Sequence, residues 1–331
     1  MNTPLRIGVL KLADSAPVIM GRHQGIFARH GLETEIVVSP SWANIADGLA
    51  WNRLDAAVIF APLAMMTALG RRGHDTGLRP LGRISRSGNT IMLRGANPVE
   101  GTWNAGSPGR QAFDLWAMSI GRKPRIAVVH MYSTHLLILR RFLKMIDVSM
   151  EDEIDLSVMP PTDMIHALAE NAIDGGCVGP PWGTEAEQRG LAFRVGGSAT
   201  VLPDHVEKII VASGKLLSCD ATGRRMSHAL RDAIAFCQQP GRRADIARAL
   251  AAPVADGGLT LPLAATEAIL PGGDARECVT FAGGSLLPSD LDWIISDMTA
   301  LGWVDNAEHQ MLMRWIGPVP ADPAPACARS L

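Results

Sequence analysis

A repeat with an offset of 119 residues is the feature of this sequence that most restricts its fold. Separated segments match at that one offset, and no insertion lies between the matched segments in either half. A shared offset of this kind indicates that the chain contains two related lobes. The matched pairs are Arg6–Val9 with Arg125–Val128, Asn52–Ala57 with Asn171–Gly176, and Pro62 with Pro181.

Each half has the same predicted order of elements, which is strand, helix, strand, helix, strand. Alternating strands and helices predict parallel sheets joined by right-handed crossovers. The sequence therefore predicts an α/β fold of two lobes with a ligand cleft between them. Strands are predicted at Arg6–Leu10, Glu33–Val38, Ala56–Phe60, Arg125–Val129, Ile154–Val158 and Gly176–Val178, and helices at Ala16–His30, Ala43–Asn52, His135–Met145 and Asp163–Asn171.

The length of 331 residues allows two domains, and the repeat suggests where they divide. We expect residues 1–90 to form the first segment of lobe 1 and residues 91–205 to form lobe 2. Ile84–Leu93 is predicted as an extended crossover between them. Residues 206–317 are expected to return to lobe 1 and add C-terminal helices, and residues 318–331 form a Pro/Ala tail that is typical of a segment without a packed core.

Charge and motif content argue against several classes of function. The 31 Lys and Arg residues nearly balance the 33 Asp and Glu residues, so the net charge of -2 offers no broad attraction to nucleic acid or to an anionic membrane. The chain contains no GxSxG, HExxH, Walker A or GxGxxG motif, so we expect neither an enzyme nor a bound cofactor. The five cysteines are scattered without CxxC spacing, which predicts reduced thiols and no metal site.

Hydropathy patterning gives an expectation about location. The apolar run Ile7–Leu10 is far shorter than the core of a signal peptide. The longest apolar stretch, Ala56–Leu69, is broken by Pro62 and is too short to span a membrane. We therefore expect a cytoplasmic protein without a membrane partner, or a periplasmic protein if a leader has been removed.

The predicted topology also locates the ligand site. In open parallel sheets, ligands bind beyond the carboxyl ends of the strands, where the unpaired N–H groups of helix N-termini favour a small anion. Two facing sets of such loops would enclose one anion between the lobes. The loops are Leu12–Ala16, Ser39–Ala43, Phe60–Leu63, His130–His135, Met159–Asp163 and Gly179–Trp182.

Candidate contacts in the first half have ordinary structural alternatives. Ser15 can bind an anion, but a serine before a helix is commonly only a cap. Trp42 can donate its indole N–H to a ligand, or it can be a core residue. Pro62 lies in the third loop. Arg83 and Asn89 belong to the crossover, where an arginine is usually solvated.

The second half contains an unusually polar loop between a strand and a helix. Capping explains one hydroxyl residue there, but not five hydrogen-bonding side chains in six positions, which are His130, Tyr132, Ser133, Thr134 and His135. Gly179 and Trp182 flank a Pro-Pro pair, and this loop is either part of the site or a rigid turn. Cys177 precedes that loop and is interpreted as a core residue.

These loops resemble the nitrate-binding family of type II solute-binding proteins, which have the type II periplasmic-binding-protein fold. The family includes ABC-importer receptors for nitrate or bicarbonate and cytoplasmic nitrate/nitrite sensors. Tyr132 stands where nitrate-binding members have histidine, and Pro180 replaces an acidic residue. The similar segments are Leu12–Pro17, Gly25–Phe27, His30–Leu32, Ser41–Ala43, Leu54–Ala56, Ala61–Leu63, Gly88–Asn89, Ser133–His135, Gly179 with Pro181–Trp182, and Glu207–Lys208.

The resemblance implies a binding protein for a small anion, with nitrate or nitrite as the leading ligand. It implies that the Ser41–Trp42 segment, the Ser133–His135 loop and Gly179 contribute to the anion site. Among family members, a cytoplasmic sensor would regulate an RNA-binding antiterminator by protein association without touching nucleic acid itself. Two alternatives remain open. One is an importer receptor for nitrate, bicarbonate or sulfonates, and the other is a desulfinase-like enzyme that uses a cleft cysteine such as Cys177.

Overall fold

The computed structural model describes residues 3–74, 77–98 and 103–316. The Pro/Ala tail predicted at residues 318–331 lies outside the described residues. The strands are β1 Leu5–Val9, β2 Thr34–Val38, β3 Ala56–Ile59, β4 Arg79–Arg86, β5 Thr90–Arg94, β6 Arg125–Val128, β7 Asp155–Val158, β8 Gly175–Val178, β9 Ala192–Gly197, β10 Val206–Ala212 and β11 Thr280–Phe281.

Helices cover both sheets and dominate the C-terminal third. They are α1 Ala16–His23, α2 Ile26–Arg29, α3 Trp42–Ala50, α4 Ala61–Ala68, α5 Ser107–Ile120, α6 Thr134–Met145, α7 Met150–Glu153, α8 Pro161–Ala169, α9 Trp182–Gln188, α10 Ser198–Val201, α11 Gly214–Leu217, α12 Asp220–Cys237, α13 Arg243–Ala251, α14 Leu263–Ile269, α15 Pro288–Ala300 and α16 Asn306–Trp315. Within the described part of the chain, no helix combines the length and apolar composition that crossing a bilayer requires.

Two sheets form the centres of two lobes, which confirms the predicted α/β architecture. The first sheet has the order β11-β4-β10-β3-β1-β2, and the second has the order β7-β6-β8-β5-β9. The chain leaves the first sheet between β4 and β5 and returns between β9 and β10. In the first sheet, β2 and β3 run parallel to β1. In the second sheet, β7 and β8 run parallel to β6, as expected for strands joined by helical crossovers.

The 119-residue repeat extends to individual hydrogen bonds. Ile7 is paired with Ala56 in the first sheet, and Ile126 is paired with Gly175 in the second, at the same offset. The backbone N–H of Arg6 donates to Asp55 Oδ2 at 2.9 Å, and the backbone N–H of Arg125 donates to Asp174 Oδ2 at 2.8 Å. The first strand of each repeat, β1 or β6, therefore begins with the same Arg–Asp pair.

One helix and the crossover differ from the sequence prediction. The single helix expected at Ala16–His30 is broken between α1 and α2 at Gly25, whose φ of 63° requires a residue that tolerates the left-handed region. The break folds Phe27 back onto α1, where a Cβ at Gly21 would come within 2.6 Å of the Phe27 ring. The crossover is not one extended segment, because Ser87 and Gly88 have positive φ and separate β4 from β5.

The C-terminal region does more than cover the first lobe. Helix α12 packs against α1 there, but α15 contacts both lobes. Asp290 in α15 pairs with Arg83 and Arg86 of β4 at 3.1 and 2.7 Å. Asp297 in the same helix accepts two hydrogen bonds from Arg141 of α6, at 2.7 and 2.9 Å.

Candidate functional site

Strand β10 carries two charged side chains into the protein interior. Its other residues are apolar, and all of its residues are buried. Successive side chains on a regular strand point to opposite faces, but the pairing of β10 with β4 shifts register around Lys208. At this irregularity, Lys208 Nζ lies 2.6 Å from Glu207 Oε1 and 3.6 Å from Asp14 Oδ2.

Glu207 is the most fully bonded member of this group and joins the two lobes. Thr134 Oγ1 donates to Oε1 at 2.7 Å, and Asn89 Nδ2 donates to Oε2 at 2.7 Å. His205 Nε2 lies 3.1 Å from Oε2. Burial would raise the pKa of Glu207, but the charge of Lys208, helped by the hydrogen bond with His205, outweighs it and holds the pKa well below its usual range. The group is therefore a carboxylate at neutral pH.

Around this ion pair lie buried polar atoms that have no hydrogen-bond partner among the described residues. They are Asp14 Oδ2, Trp42 Nε1, Asn89 Oδ1, and both ring nitrogens of His135. A buried polar group without a partner costs roughly 1–3 kcal/mol, so several at one place make that place a candidate site for a polar ligand. We call this set the interlobe cluster, which consists of Asp14, Trp42, Asn89, Thr134, His135, Glu207 and Lys208.

Trp42 forms one wall of the interlobe cluster. Ser41 caps α3 by accepting a hydrogen bond from the Asn44 backbone N–H at 3.3 Å, and this cap places Trp42 at the first helical position. The indole ring packs on Phe60 with centroids 4.4 Å apart, and Lys208 Nζ lies 5.5 Å from the indole centroid. Trp42 is thus a core residue by its ring, and its N–H remains free to donate.

The cationic centre of the site is Lys208 rather than a histidine. Burial lowers the pKa of His135 to about 3, although Glu207 opposes the shift, so the ring is neutral at physiological pH. Burial lowers the pKa of His130 to about 4 as well. Burial acts to lower the pKa of Lys208 too, but Glu207 and Asp14 outweigh it and raise that pKa above its usual value.

Direct contacts close the two lobes on each other beside the interlobe cluster. The Ala13 backbone N–H donates to the Pro180 carbonyl at 2.9 Å, and Trp182 Nε1 donates to the Lys11 carbonyl at 2.8 Å. The Gly179 loop can lie close to His135 because glycine has no Cβ. A Cβ at that position would lie only 3.3 Å from His135 Nε2. A cleft of about 370 Å³ remains between Ser39–Pro40 of one lobe and Pro160–Asp163 of the other.

The structure distributes the residues proposed from the sequence among different environments. Trp42, Asn89, Thr134 and His135 meet in the interlobe cluster, and Gly179 lies against His135. His130 is near Phe60, with ring centroids 6.3 Å apart. Pro62 is buried in the first turn of α4, which follows Phe60.

Other proposed residues have local partners. Ser15 donates its hydroxyl to the Leu10 carbonyl at 2.9 Å, and Ser133 accepts from the Leu136 backbone N–H as the cap of α6. Tyr132 packs edge-on against Trp303, and Arg83 pairs with Asp290, as described above. Trp182 uses its N–H for the contact between lobes.

Several residues of the site were missed in the sequence analysis. Glu207 and Lys208 were noticed only as part of a resemblance, and Asp14 only as a member of the Leu12–Ala16 loop. A usable signal was present, since Glu and Lys inside the apolar run Val206–Ala212 are unusual, and such side chains are almost never fully buried unless they are paired. Ser85 and His205 give no comparable signal, because their contacts depend on tertiary packing.

The enzyme alternative finds no support at Cys177. Burial raises the pKa of this thiol well above its usual value, and its side chain belongs to the apolar core of the second lobe. The thiolate is the reactive form of cysteine, so burial disfavours reaction at this position. Among the described residues, no group of three or more His, Cys, Asp or Glu side chains is arranged to hold a metal ion.

Comparisons with solved structures agree with this architecture. The periplasmic nitrate-binding protein NrtA from Synechocystis superposes with a TM-score of 0.80 at 18% identity, covering 94% of this chain and 85% of that one. The alkanesulfonate-binding protein SsuA from Xanthomonas axonopodis pv. citri, bound to MOPS, gives a TM-score of 0.66 at 16% identity, covering 96% and 95%. The fold is therefore that of two-lobed periplasmic binding proteins.

Sequence relatives include components of transport systems. A bicarbonate transport ATP-binding protein, CmpC of Synechocystis, is 30% identical over 250 residues, which are 75% of this chain and 37% of that protein. The nitrate/nitrite binding protein NrtA of the same organism is 25% identical over 213 residues, which are 62% of this chain and 47% of that one. The chain thus spans less than half the length of these curated relatives.

A family model extends the similarity along most of the chain. It matches residues 1–251, which include both copies of the repeat and every member of the interlobe cluster. On this basis the chain belongs to the NMT1-like family.

Proposed function

We propose that this protein binds a small oxyanion, nitrate or nitrite, in the interlobe cluster. The observation that carries the proposal is a buried ammonium, Lys208, surrounded by polar atoms that lack partners. Trp42 Nε1 and one nitrogen of His135 supply directed N–H donors, and Lys208 supplies the charge. Oxyanions need several donors in a dry site, and charge-assisted hydrogen bonds are the strongest of these.

Closure of the lobes would couple ligand binding to a signal. The members of the cluster come from both lobes, so an anion bound among them stabilises the closed form over the open one. We propose that the protein is a cytoplasmic sensor and that closure changes a surface recognised by an RNA-binding antiterminator. The near balance of charges agrees with a partner that is a protein rather than nucleic acid.

A ligand screen by thermal unfolding tests the anion proposal. We expect nitrate or nitrite at a concentration of 100 times its Kd to stabilise the protein by about 2.7 kcal/mol, because the ligand binds only the folded state. Hydrogencarbonate and methanesulfonate complete the panel, and sodium chloride at equal ionic strength is the control. A melting temperature that no anion of the panel changes would contradict the proposal.

The variant Trp42→Phe tests the indole N–H of Trp42 separately from the packing of its ring. Phenylalanine keeps the ring against Phe60 but removes Nε1–H, so we expect the Kd for nitrate to rise about tenfold, equivalent to about 1.4 kcal/mol, with little change in stability. Trp51→Phe is a matched control, because Trp51 ends the same helix and is 51% exposed. Equal affinities of wild type and Trp42→Phe, measured by calorimetry, would remove Trp42 from the site.

An importer receptor for nitrate, bicarbonate or sulfonate is the second candidate. It is favoured by the relatives, whose names describe bicarbonate transport and nitrate/nitrite binding. Deletion of the gene distinguishes the two roles. Loss of a sensor is expected to abolish nitrate-dependent expression of target genes while uptake of labelled anion continues, and loss of a receptor is expected to abolish uptake.

A further inference from the structure

Asp14 is a buried carboxyl group in the interlobe cluster. A site for an anion is expected to contain hydrogen-bond donors, and an ionised carboxylate is only an acceptor. It lies in a short 3-10 turn before α1, and its side chain is buried. Oδ1 accepts a hydrogen bond from the Ser85 hydroxyl on β4. Oδ2 has no hydrogen-bond partner among the described residues and lies 3.6 Å from Lys208 Nζ.

The charges that face Asp14 leave no room for a further negative charge. Lys208 on β10 is shared between Asp14 and Glu207. His135 on α6 is neutral, and the two ring nitrogens of His205 contact Glu207 and the Leu202 carbonyl. An anion added to ionised Asp14 would place a third negative group around one ammonium, which a fully buried site does not tolerate.

We propose that the interlobe cluster binds its anion together with a proton and that Asp14 carries this proton. The proposal rests on the anion-binding function proposed above. One proton from solvent adds to the Asp14 carboxylate as one anion enters, so the net charge of the cluster is unchanged. Protonated Oδ2 then donates to the ligand instead of repelling it, and Lys208 is released from Asp14 to pair with the anion.

The electrostatics of Asp14 agree with this role. Burial raises the pKa of Asp14 above its usual value, and Lys208 is the largest influence opposing that rise. A bound anion takes over the charge of Lys208, so the pKa of Asp14 is higher still in the complex. A carboxyl with these properties is protonated by the binding event itself.

The sign of the resulting pH dependence follows from the two pKa values. Below the pKa of Asp14 in the free protein, the proton is already present and the affinity is constant. Above that pKa, each binding event takes up one proton, so the affinity falls about tenfold per pH unit until the pKa of the complex is reached.

Calorimetry with nitrate tests the proposal, because nitrate does not itself titrate in the accessible pH range. Titrations at several pH values, each in two buffers of different ionisation enthalpy, give the number of protons taken up. We expect about one proton for the wild type in the pH range where affinity falls. Asp14→Asn mimics the neutral acid in shape, and we expect it to take up no proton and to bind nitrate independently of pH.

The affinity of Asp14→Asn for nitrate distinguishes the proposed role of Asp14 from a merely structural one. At the high end of the pH range, Asp14→Asn should bind nitrate at least tenfold more tightly than the wild type does. A structural role predicts weaker binding at every pH. Ser85→Ala removes the donor that stabilises ionised Asp14, so the fall in affinity should move to higher pH without disappearing.

The outcomes separate this inference from the function on which it rests. If nitrate binds the wild type with no proton uptake and no dependence on pH, the role of Asp14 is overturned and anion binding stands. The same titrations are repeated with nitrite and methanesulfonate if nitrate gives no heat. If none of the three binds the wild type or Asp14→Asn at any pH, both proposals are overturned.

Discussion

Lys208→Met is expected to abolish anion binding and to lower the free energy of unfolding by about 3–5 kcal/mol. Methionine fills a similar volume, but it leaves the Glu207 carboxylate buried without its cationic partner. It also removes the charge that an incoming anion needs. Urea unfolding measures the stability loss, and calorimetry with nitrate measures the binding.

The double variant Glu207→Gln/Lys208→Met is the matched control for Lys208→Met. Glutamine keeps hydrogen bonds with Thr134 and Asn89 but carries no charge, so we expect most of the lost stability to return. Binding should not return, because the ammonium is still absent. A Lys208→Met protein that binds nitrate as the wild type does would show that the anion site lies elsewhere.

Asp174→Ala should be the most damaging change away from the cluster, with an expected loss of about 3 kcal/mol. Asp174 is completely buried at the end of the helical crossover before β8, and it pairs with Arg94, Arg122 and Arg125. Its removal leaves these guanidinium groups without their shared acceptor. It also releases the backbone N–H of Arg125 at the start of β6.

Asp55→Ala provides the internal comparison for Asp174→Ala, since the two aspartates are equivalent in the repeat. Asp55 pairs with Arg6 and its side chain is 15% exposed, so we expect a loss of only about 1 kcal/mol. Urea unfolding of both variants measures the difference. Equal losses of unfolding free energy in the two variants would mean that the deeper burial of Asp174 and its additional arginines add nothing to stability.

The contribution of Asp174 should depend on pH in a defined direction. Burial would raise the pKa of Asp174, but Arg122, the Arg125 N–H and Arg94 lower it below its usual value of 3.8. The stabilisation is therefore present above the unfolded-state pKa and is lost as the pH falls through the folded-state pKa. The stability difference between wild type and Asp174→Ala should shrink in that acid range.

The repeat made most of the fold predictable. Strands and crossover helices leave periodic signals, and the offset of 119 residues transferred each signal from one half to the other. The break at Gly25 was not predictable, because it depends on Phe27 packing against Gly21. The role of α15 was also missed, since its partners Arg83 and Arg141 lie 207 and 156 residues away in sequence. The limits expected for the two lobes stay a prediction.

The candidate site was predictable only in part. The rule that ligands bind at strand ends selected the loops that carry Trp42, His135 and Gly179. It could not select Lys208, because that residue lies within strand β10 and not in a loop. Asp14 and Ser85 come from segments 71 residues apart, and only the folded chain brings them together.

The position of α15 has a consequence for the kinetics of the protein. Its Asp297 holds Arg141 on the second lobe with two hydrogen bonds, and its Asp290 holds β4 of the first lobe. A motion that carries α6 away from β4 has to break one of these attachments before the enclosed cluster reaches solvent. We therefore expect the residence time of a ligand in the interlobe cluster to depend partly on a helix that contributes no atom to that cluster.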